Sequence, residues 1–188
     1  MNGTGRAELC RMQEKDMIRL SKRLSKRLRH SPEAIGLRLD PEGWVGVDDL
    51  LAALGGGVTR AQLDEVVARN DKQRFTIDGD RIRANQGHSV PVDLGLPVSE
   101  PPPVLYHGTV GSSLPAIHRD GLKPMNRHDV HLSPTVETAQ RVGARRGKPV
   151  VLTVDAAAMR ADGHEFRVSA NGVWLVPHVP PRYLSEQG

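Results

Sequence analysis

Cysteine is almost missing from this chain: Cys10 is the only one in 188 residues. One thiol excludes an internal disulfide framework and any CxxC metal site within a single chain. Aromatics make up only 3%, so a Phe/Tyr stacking platform cannot dominate any binding of bases. No apolar run approaches the ~18 residues that suggest a membrane span, and the N-terminus lacks the apolar core of a signal peptide. The reading is a cytoplasmic chain with no membrane partner. A phosphate-cradling GxxxxGK(S/T) loop and a strand–GxGxxG–helix fingerprint are also missing, and no Ser/His/Asp order is compelling.

What the chain does have is positive charge in one place. The formal net charge is +4. Residues 1–31 hold nine Lys or Arg against Glu8, Glu14 and Asp16, a local excess of +6, so the remainder carries −2. That asymmetry favours a polyanionic partner such as nucleic acid. With few aromatics, phosphate contacts have to carry the binding. The length suits one large domain or two small ones, and 38% hydrophobic residues suffice for small cores.

The basic excess peaks between Met17 and Pro32. Met17, Leu20, Leu24 and Leu28 recur at helical spacing, giving one apolar stripe. Arg19, Arg23 and Arg27 form a second row, with Lys22 and Lys26 beside it. Pro32 biases Ser31 away from the helical region, which predicts a helix end near His30. Arg29 and His30 then stand where a side chain can leave the helix and meet a phosphate. An ordinary solvated basic face is the alternative.

Residues 1–14 show no periodicity and read as a flexible N-terminus. Gly43–Val47 reads as a short strand, followed by a helix from Asp48 or Asp49 through Leu54. Thr59 reads as the N-cap of a helix to about Arg69. Arg74–Ile77 and Arg81–Ala84, joined through Asp78–Gly79–Asp80, form a hairpin signal. Helices followed by a two-stranded ribbon is the order of a winged-helix module, which either binds nucleic acid or serves as a scaffold.

Residues 91–103 are proline-rich and read as a linker. Beyond them come short elements: a strand Val104–His107, a helix Ser112–Asp120 and a strand Val130–Ser133. A helix Thr135–Arg146 stopped by Gly147 follows, then strands Pro149–Val154, Glu165–Val168 and Val173–Val176. This texture predicts a compact α+β unit.

His128–Asp129–Val130–His131 invites a metal reading. Two imidazoles three apart on a strand would face opposite ways, so no metal site is expected. Three other clusters bear polar chemistry. Tyr106–His107–Gly108–Thr109 ends a strand with an imidazole, a glycine and a hydroxyl, and Gly108 would let a ligand approach the backbone. His131 and Ser133 share a strand face two residues apart. Arg141–Gly147 is an arginine-rich helix end, which by itself suits the helix dipole.

Together these segments resemble the RNA (tRNA) 2′-phosphotransferase family. The resemblance rests on Arg29–His30, Lys72–Gln73–Arg74–Phe75, Arg83–Ala84–Asn85–Gln86–Gly87–His88–Ser89, Tyr106–Thr109, His131–Leu132–Ser133, Val142–Arg145 and Gly172–Val173–Trp174. It runs from about Lys15 to Leu184. It implies an α+β architecture of a winged-helix RNA-binding lobe over residues 15–90, then an ADP-ribosyltransferase-like NAD-binding lobe over 104–188. It implies removal of an internal RNA 2′-phosphate with NAD+ as co-substrate and no metal. In that scheme the phosphate attacks the nicotinamide ribose, nicotinamide leaves, and the neighbouring ribose hydroxyl then attacks phosphorus. The products are 2′-hydroxyl RNA and ADP-ribose cyclic phosphate.

The resemblance also implies roles. Arg29, His30, Arg74 and Arg145 form the cationic catalytic set, with Arg145 preferred over Arg146. His107, Gly108, Thr109, His131 and Ser133 hold NAD+, while Arg83, Asn85, Gln86 and His88 line the substrate crevice. Many protein-modifying ADP-ribosyltransferases carry a glutamate where Val173 stands here, and its absence suits an anionic acceptor. The chain is expected to act as a monomer. A winged-helix nucleic-acid-binding regulator and an ADP-ribosyltransferase acting on nucleic-acid terminal phosphates or on protein are the alternatives.

Overall fold

The computed structural model describes residues 12–70 and 72–186. Cys10, and the stretch through Arg11 read as flexible, lie outside them. The chain divides into two compact units, Met1–Ala84 and Asn85–Gly188.

The first unit begins with α1 (Glu14–Arg29). Leu20, Leu24 and Leu28 are buried, as the stripe requires, and His30 is the C-cap. Met12, just ahead of the helix, is tied down by its N–H to Glu65 Oε2 at 3.1 Å. Next come β1 (Val45–Gly46), α2 (Val47–Ala53), α3 (Arg60–Ala68), β2 (Phe75–Asp78) and β3 (Arg81–Ala84). The strands form one antiparallel sheet in the order β1-β3-β2.

β1 is shorter than expected because Val47 already begins α2, its N–H bonded to Asp80 O at 2.7 Å. α3 is fixed at its start by a capping box: the Thr59 side chain accepts from Gln62 N–H, and Gln62 Oε1 accepts from Thr59 N–H. Asp78 pairs with Arg81, so Gly79 and Asp80 form the loop. Gly79 has φ of 61°, the geometry a two-residue primed turn demands of its first residue. The core gathers Leu24, Leu28, Leu50, Leu63, Val66, Phe75 and Ile82.

The second unit contains β4 (Val104–Val110), α4 (Leu114–Asp120), β5 (Val130–Leu132), α5 (Val136–Gly143) and β6 (Pro149–Asp155). It continues with α6 (Ala156–Ala161), β7 (Arg167–Val168), β8 (Trp174–Val176) and β9 (Leu184–Glu186). Two antiparallel sheets result, β4-β6-β9 and β5-β8-β7. A reciprocal backbone pair joins them: Tyr106 N–H to Ser133 O at 2.9 Å and Ser133 N–H to Tyr106 O at 2.8 Å. Between them lies a core of Leu105, Leu132, Leu152, Val154, Met159, Phe166 and Val176. The proline-rich stretch is attached to this unit, with Val98 bridged to Arg167 and Ser99 N–H bonded to Phe166 O at 2.8 Å.

α5 departs from expectation in a way that bears on the site. It starts at the Thr135 cap, whose side chain accepts from Thr138 N–H, but it ends at Gly143 instead of Arg146. Gly143 lies against the Thr109 backbone, where a Cβ would meet Thr109 O at 2.7 Å. Arg145 and Arg146 therefore follow the helix in a turn. The resulting structure is a mixed helix-and-strand fold with small antiparallel sheets.

Candidate active site

In the first unit the expected cations take different positions. Arg29 does not leave the helix surface as expected. It is buried, donates through Nη2 to Arg74 O at 3.3 Å, and lies 5.9 Å from the centre of the Phe75 ring. His30 at the C-cap is exposed. The Arg29 contact ties the helix end to the segment carrying Arg74. Asn70, which the sequence reading passed over, also braces this segment. Its buried side chain donates to Ser21 Oγ at 3.0 Å and accepts from Lys72 N–H at 3.1 Å. Gln73, directly before Arg74, has φ of 39°, an uncommon backbone state for a residue with a side chain. Arg29, His30 and Arg74 thus belong to one braced corner.

Arg83 stands elsewhere in this unit. Its guanidinium lies 4.5 Å from the centre of the Trp44 ring and donates to Glu42 O at 3.4 Å; Arg81 lies 5.0 Å from the same ring. The half-buried Arg83 is a packing partner of Trp44 here.

In the second unit, β4 and β5 bring the two expected histidines together. His107 Nδ1 lies 3.1 Å from His131 O, across the junction of the two sheets. A carbonyl only accepts, so Nδ1 of His107 carries the proton. Burial is the main influence holding the His107 pKa below the usual histidine value. The contact to His131 O opposes it, while the Arg146 and Arg127 charges add to it. Neutral imidazole is therefore favoured at neutral pH.

Thr109 is buried on β4, and Ser133 forms the backbone junction with Tyr106. Gly108 needs a correction. An added Cβ would fall 1.7 Å from Ala139 O and 2.9 Å from Gly143 N. What approaches the Gly108 backbone is α5, so its lack of a side chain serves helix-on-strand packing.

Arg127 was missed by the sequence reading. It sits ahead of β5, and its Nη1 lies 3.1 Å from His131 Nδ1. Its pKa is pulled down by desolvation, then by the charges of Arg146 and Arg145. Of the two, Arg146 is the one that also acts on His107. Among the described residues, none of these three arginines forms an ion pair with a carboxylate. All three side chains are exposed, so solvent screens their mutual repulsion, and together they make this face electropositive and suited to an anion. No sequence pattern marks Arg127, because it lies in the loop before β5 and no helical or strand spacing links it to His131.

A cavity of about 280 Å³ opens beside this cluster, lined by His88, Asp93, His128, Asp129, His131 and Arg167 among others. His88 and Asn85 are both buried, and Gln86 is half-buried. His128 precedes β5, so alternation along a strand does not separate it from His131, and both line the same cavity. The expected separation of the two imidazoles onto opposite strand faces therefore does not hold. Even so, among the described residues no group of three His, Cys, Asp or Glu is placed to hold a metal ion. Desolvation raises the Asp129 pKa, with Arg167 and His128 opposing it.

Comparison with known proteins settles the relationship. Residues 15–178 match the family described as RNA 2′-phosphotransferase, Tpt1 / KptA family. The chain belongs to the RNA 2′-phosphotransferase family. A protein of Streptomyces coelicolor named "Probable RNA 2′-phosphotransferase" is 64% identical over 176 residues, covering 92% of this chain and 97% of its own. Proteins with the same name from Streptomyces griseus and Burkholderia pseudomallei are 60% and 58% identical. The alignments cover 94% and 90% of this chain, and 100% and 95% of theirs. Family membership thus spans both compact units. No helix among the described residues is long and apolar enough to cross a membrane.

Proposed function

We propose that this chain is an NAD+-dependent RNA 2′-phosphotransferase that removes an internal 2′-phosphate from RNA in the cytoplasm, acting as a monomer. Its first unit, with helices ahead of a β2–β3 ribbon, is read as a winged-helix RNA-binding lobe. Its second, with two small sheets joined at Tyr106–Ser133, is read as an ADP-ribosyltransferase-like lobe. The observation that carries the reading is the group of guanidiniums near His107 and His131, none ion-paired with a carboxylate among the described residues, in a member of this family.

The donor set fits NAD+ chemically. Its diphosphate is a dianion, suited to the exposed guanidiniums of Arg127 and Arg146 near the two histidines. His107, with its proton on Nδ1, offers Nε2 as an acceptor for a ribose hydroxyl. His131, Thr109 and Ser133 complete the cosubstrate assignment, and Gly108 belongs to it by letting α5 seat against β4. NAD+ supplies a ribosyl carbon that a phosphate oxygen can attack as nicotinamide leaves.

The chain's own residues have distinct tasks in this scheme. A 2′-phosphate is already a nucleophile, so the first step depends on orientation more than on a base. Arg29, His30 and Arg74 are assigned to the phosphate, with Arg29 acting largely through its grip on Arg74. Arg145 stabilises the charge that builds on phosphoryl oxygens in the second step, which releases 2′-hydroxyl RNA and ADP-ribose cyclic phosphate. Asn85, Gln86, His88 and Arg83 are assigned to substrate contact or bracing.

The test is nicotinamide release, measured with RNA oligonucleotides that differ only in one internal 2′-phosphate. Release that requires the 2′-phosphate supports the reading. Equal release with both oligonucleotides, or stable labelling of a terminal phosphate, opposes it. A regulator built on the first unit alone would leave His107, His131 and Arg145 without a task.

A further inference from the structure

Beyond adding its charge to the group described above, Arg127 touches one of the two central imidazoles. The contact is Nη1 to His131 Nδ1 at 3.1 Å. A guanidinium has donors and no acceptor, so Nδ1 of His131 must be the acceptor. The ring proton then resides on Nε2, and the imidazole is neutral while the contact lasts.

The residue that Arg127 orients also orients the other histidine. His131 O accepts from His107 Nδ1 at 3.1 Å. His131 is held in turn by the antiparallel pairing of β5 with β8 and by the Tyr106–Ser133 junction two residues on. The two rings therefore carry opposite instructions. His107 has its proton on Nδ1 and accepts at Nε2, whereas His131 accepts at Nδ1 and donates from Nε2. Such a pair can read a ligand that offers a hydroxyl at one point and an acceptor oxygen at another, as a ribose phosphate does.

We propose that Arg127 is a positioning residue for the dinucleotide: it fixes the His131 ring as the Nε2–H tautomer, so that His131 meets the cosubstrate as a hydrogen-bond donor. The inference rests on the reading that His107 and His131 hold NAD+. It adds a residue and a tautomer to that reading. Arg145 and Arg146 share the locality, and both lower the Arg127 pKa. Their charges reinforce its demand for an electron-pair donor, which Nδ1 supplies.

The tautomer is measured directly from the ¹⁵N shifts of the His131 ring in the full chain without ligand, next to steady-state kinetics. Wild type should show the Nε2–H form. Arg127→Ala should give a tautomer mixture and raise KM for NAD+ about tenfold, the effect of roughly one lost oriented hydrogen bond, with kcat changed far less. Arg127→Lys, which still donates, should keep the Nε2–H form. A wild-type ring protonated on Nδ1, or an Arg127→Ala chain with unchanged KM, overturns the inference. The Nε2–H form in a chain that binds no NAD+ instead refutes the cosubstrate reading on which it depends.

Discussion

His107 is the residue whose surroundings make the sharpest statement about pH. Its folded-state pKa is lowered, chiefly by burial, so below the ordinary histidine pKa of ~6.5 the unfolded chain binds more protons than the folded one. Stability is therefore full above that value and falls as pH drops toward the folded pKa. His107→Gln should remove this part of the pH dependence, read as urea midpoints across the acid range. Arg146 contributes to the same lowering. Arg146→Ala should thus move the acid limb of the activity profile to higher pH while leaving maximal turnover nearly intact. Arg145→Ala should lose ~10²–10³ in turnover, by analogy with deleting one oxyanion donor, and let the RNA–ADP-ribose adduct accumulate in gels. His107 and His131 were legible as strand residues beside hydroxyls, although their meeting rests on the Tyr106–Ser133 junction. Arg127 was not, because its contact depends on how a loop returns to β5. Arg29 was legible as a cation at the helix end but not as a buried one, since its partners, Arg74 O and Phe75, lie 45 residues or more away.

Among the elements, the packing of α5 on β4 is the feature that chain chemistry restricts most. Gly108 faces the Ala139 and Gly143 backbone, Gly143 faces the Thr109 backbone, and Gly108→Ala would drive a methyl group into Ala139 O. Overpacking of this kind costs about 3 kcal/mol, which denaturant unfolding of the variant should show. Thr59→Ala, which removes the capping box of α3, should cost about 1 kcal/mol. These starts were readable: Thr59 and Thr135 both cap the helices expected after them. Helix ends were harder. Gly147 looks like the stop, but Gly143 is where the helix leaves the strand it lies on. α6 and β9 were missed for a similar reason. Ala156–Ala161 has no apolar periodicity, although Asp155 caps it by accepting from Ala158 N–H at 2.9 Å. Leu184–Glu186 is too short a strand to show alternation, and it becomes visible only by pairing with β6.

For the whole molecule, charge placement is the property that connects sequence to partner. The basic excess collects on α1, where Lys22 and Lys26 stay exposed while the leucine stripe is buried. RNA affinity should accordingly fall with salt, and each of Lys22→Ala and Lys26→Ala should reduce the logarithmic salt slope by about 0.7 if it meets a phosphate. The central claim is narrower than RNA binding: phosphate removal is coupled to NAD+ consumption. The direct measurement is the product balance from one RNA oligonucleotide bearing a single internal 2′-phosphate, incubated with NAD+ and resolved by mass spectrometry. This account predicts one nicotinamide and one ADP-ribose cyclic phosphate for every 2′-hydroxyl RNA formed, and no reaction when NAD+ is withheld. Dephosphorylation without NAD+, with inorganic phosphate as the product, would contradict it.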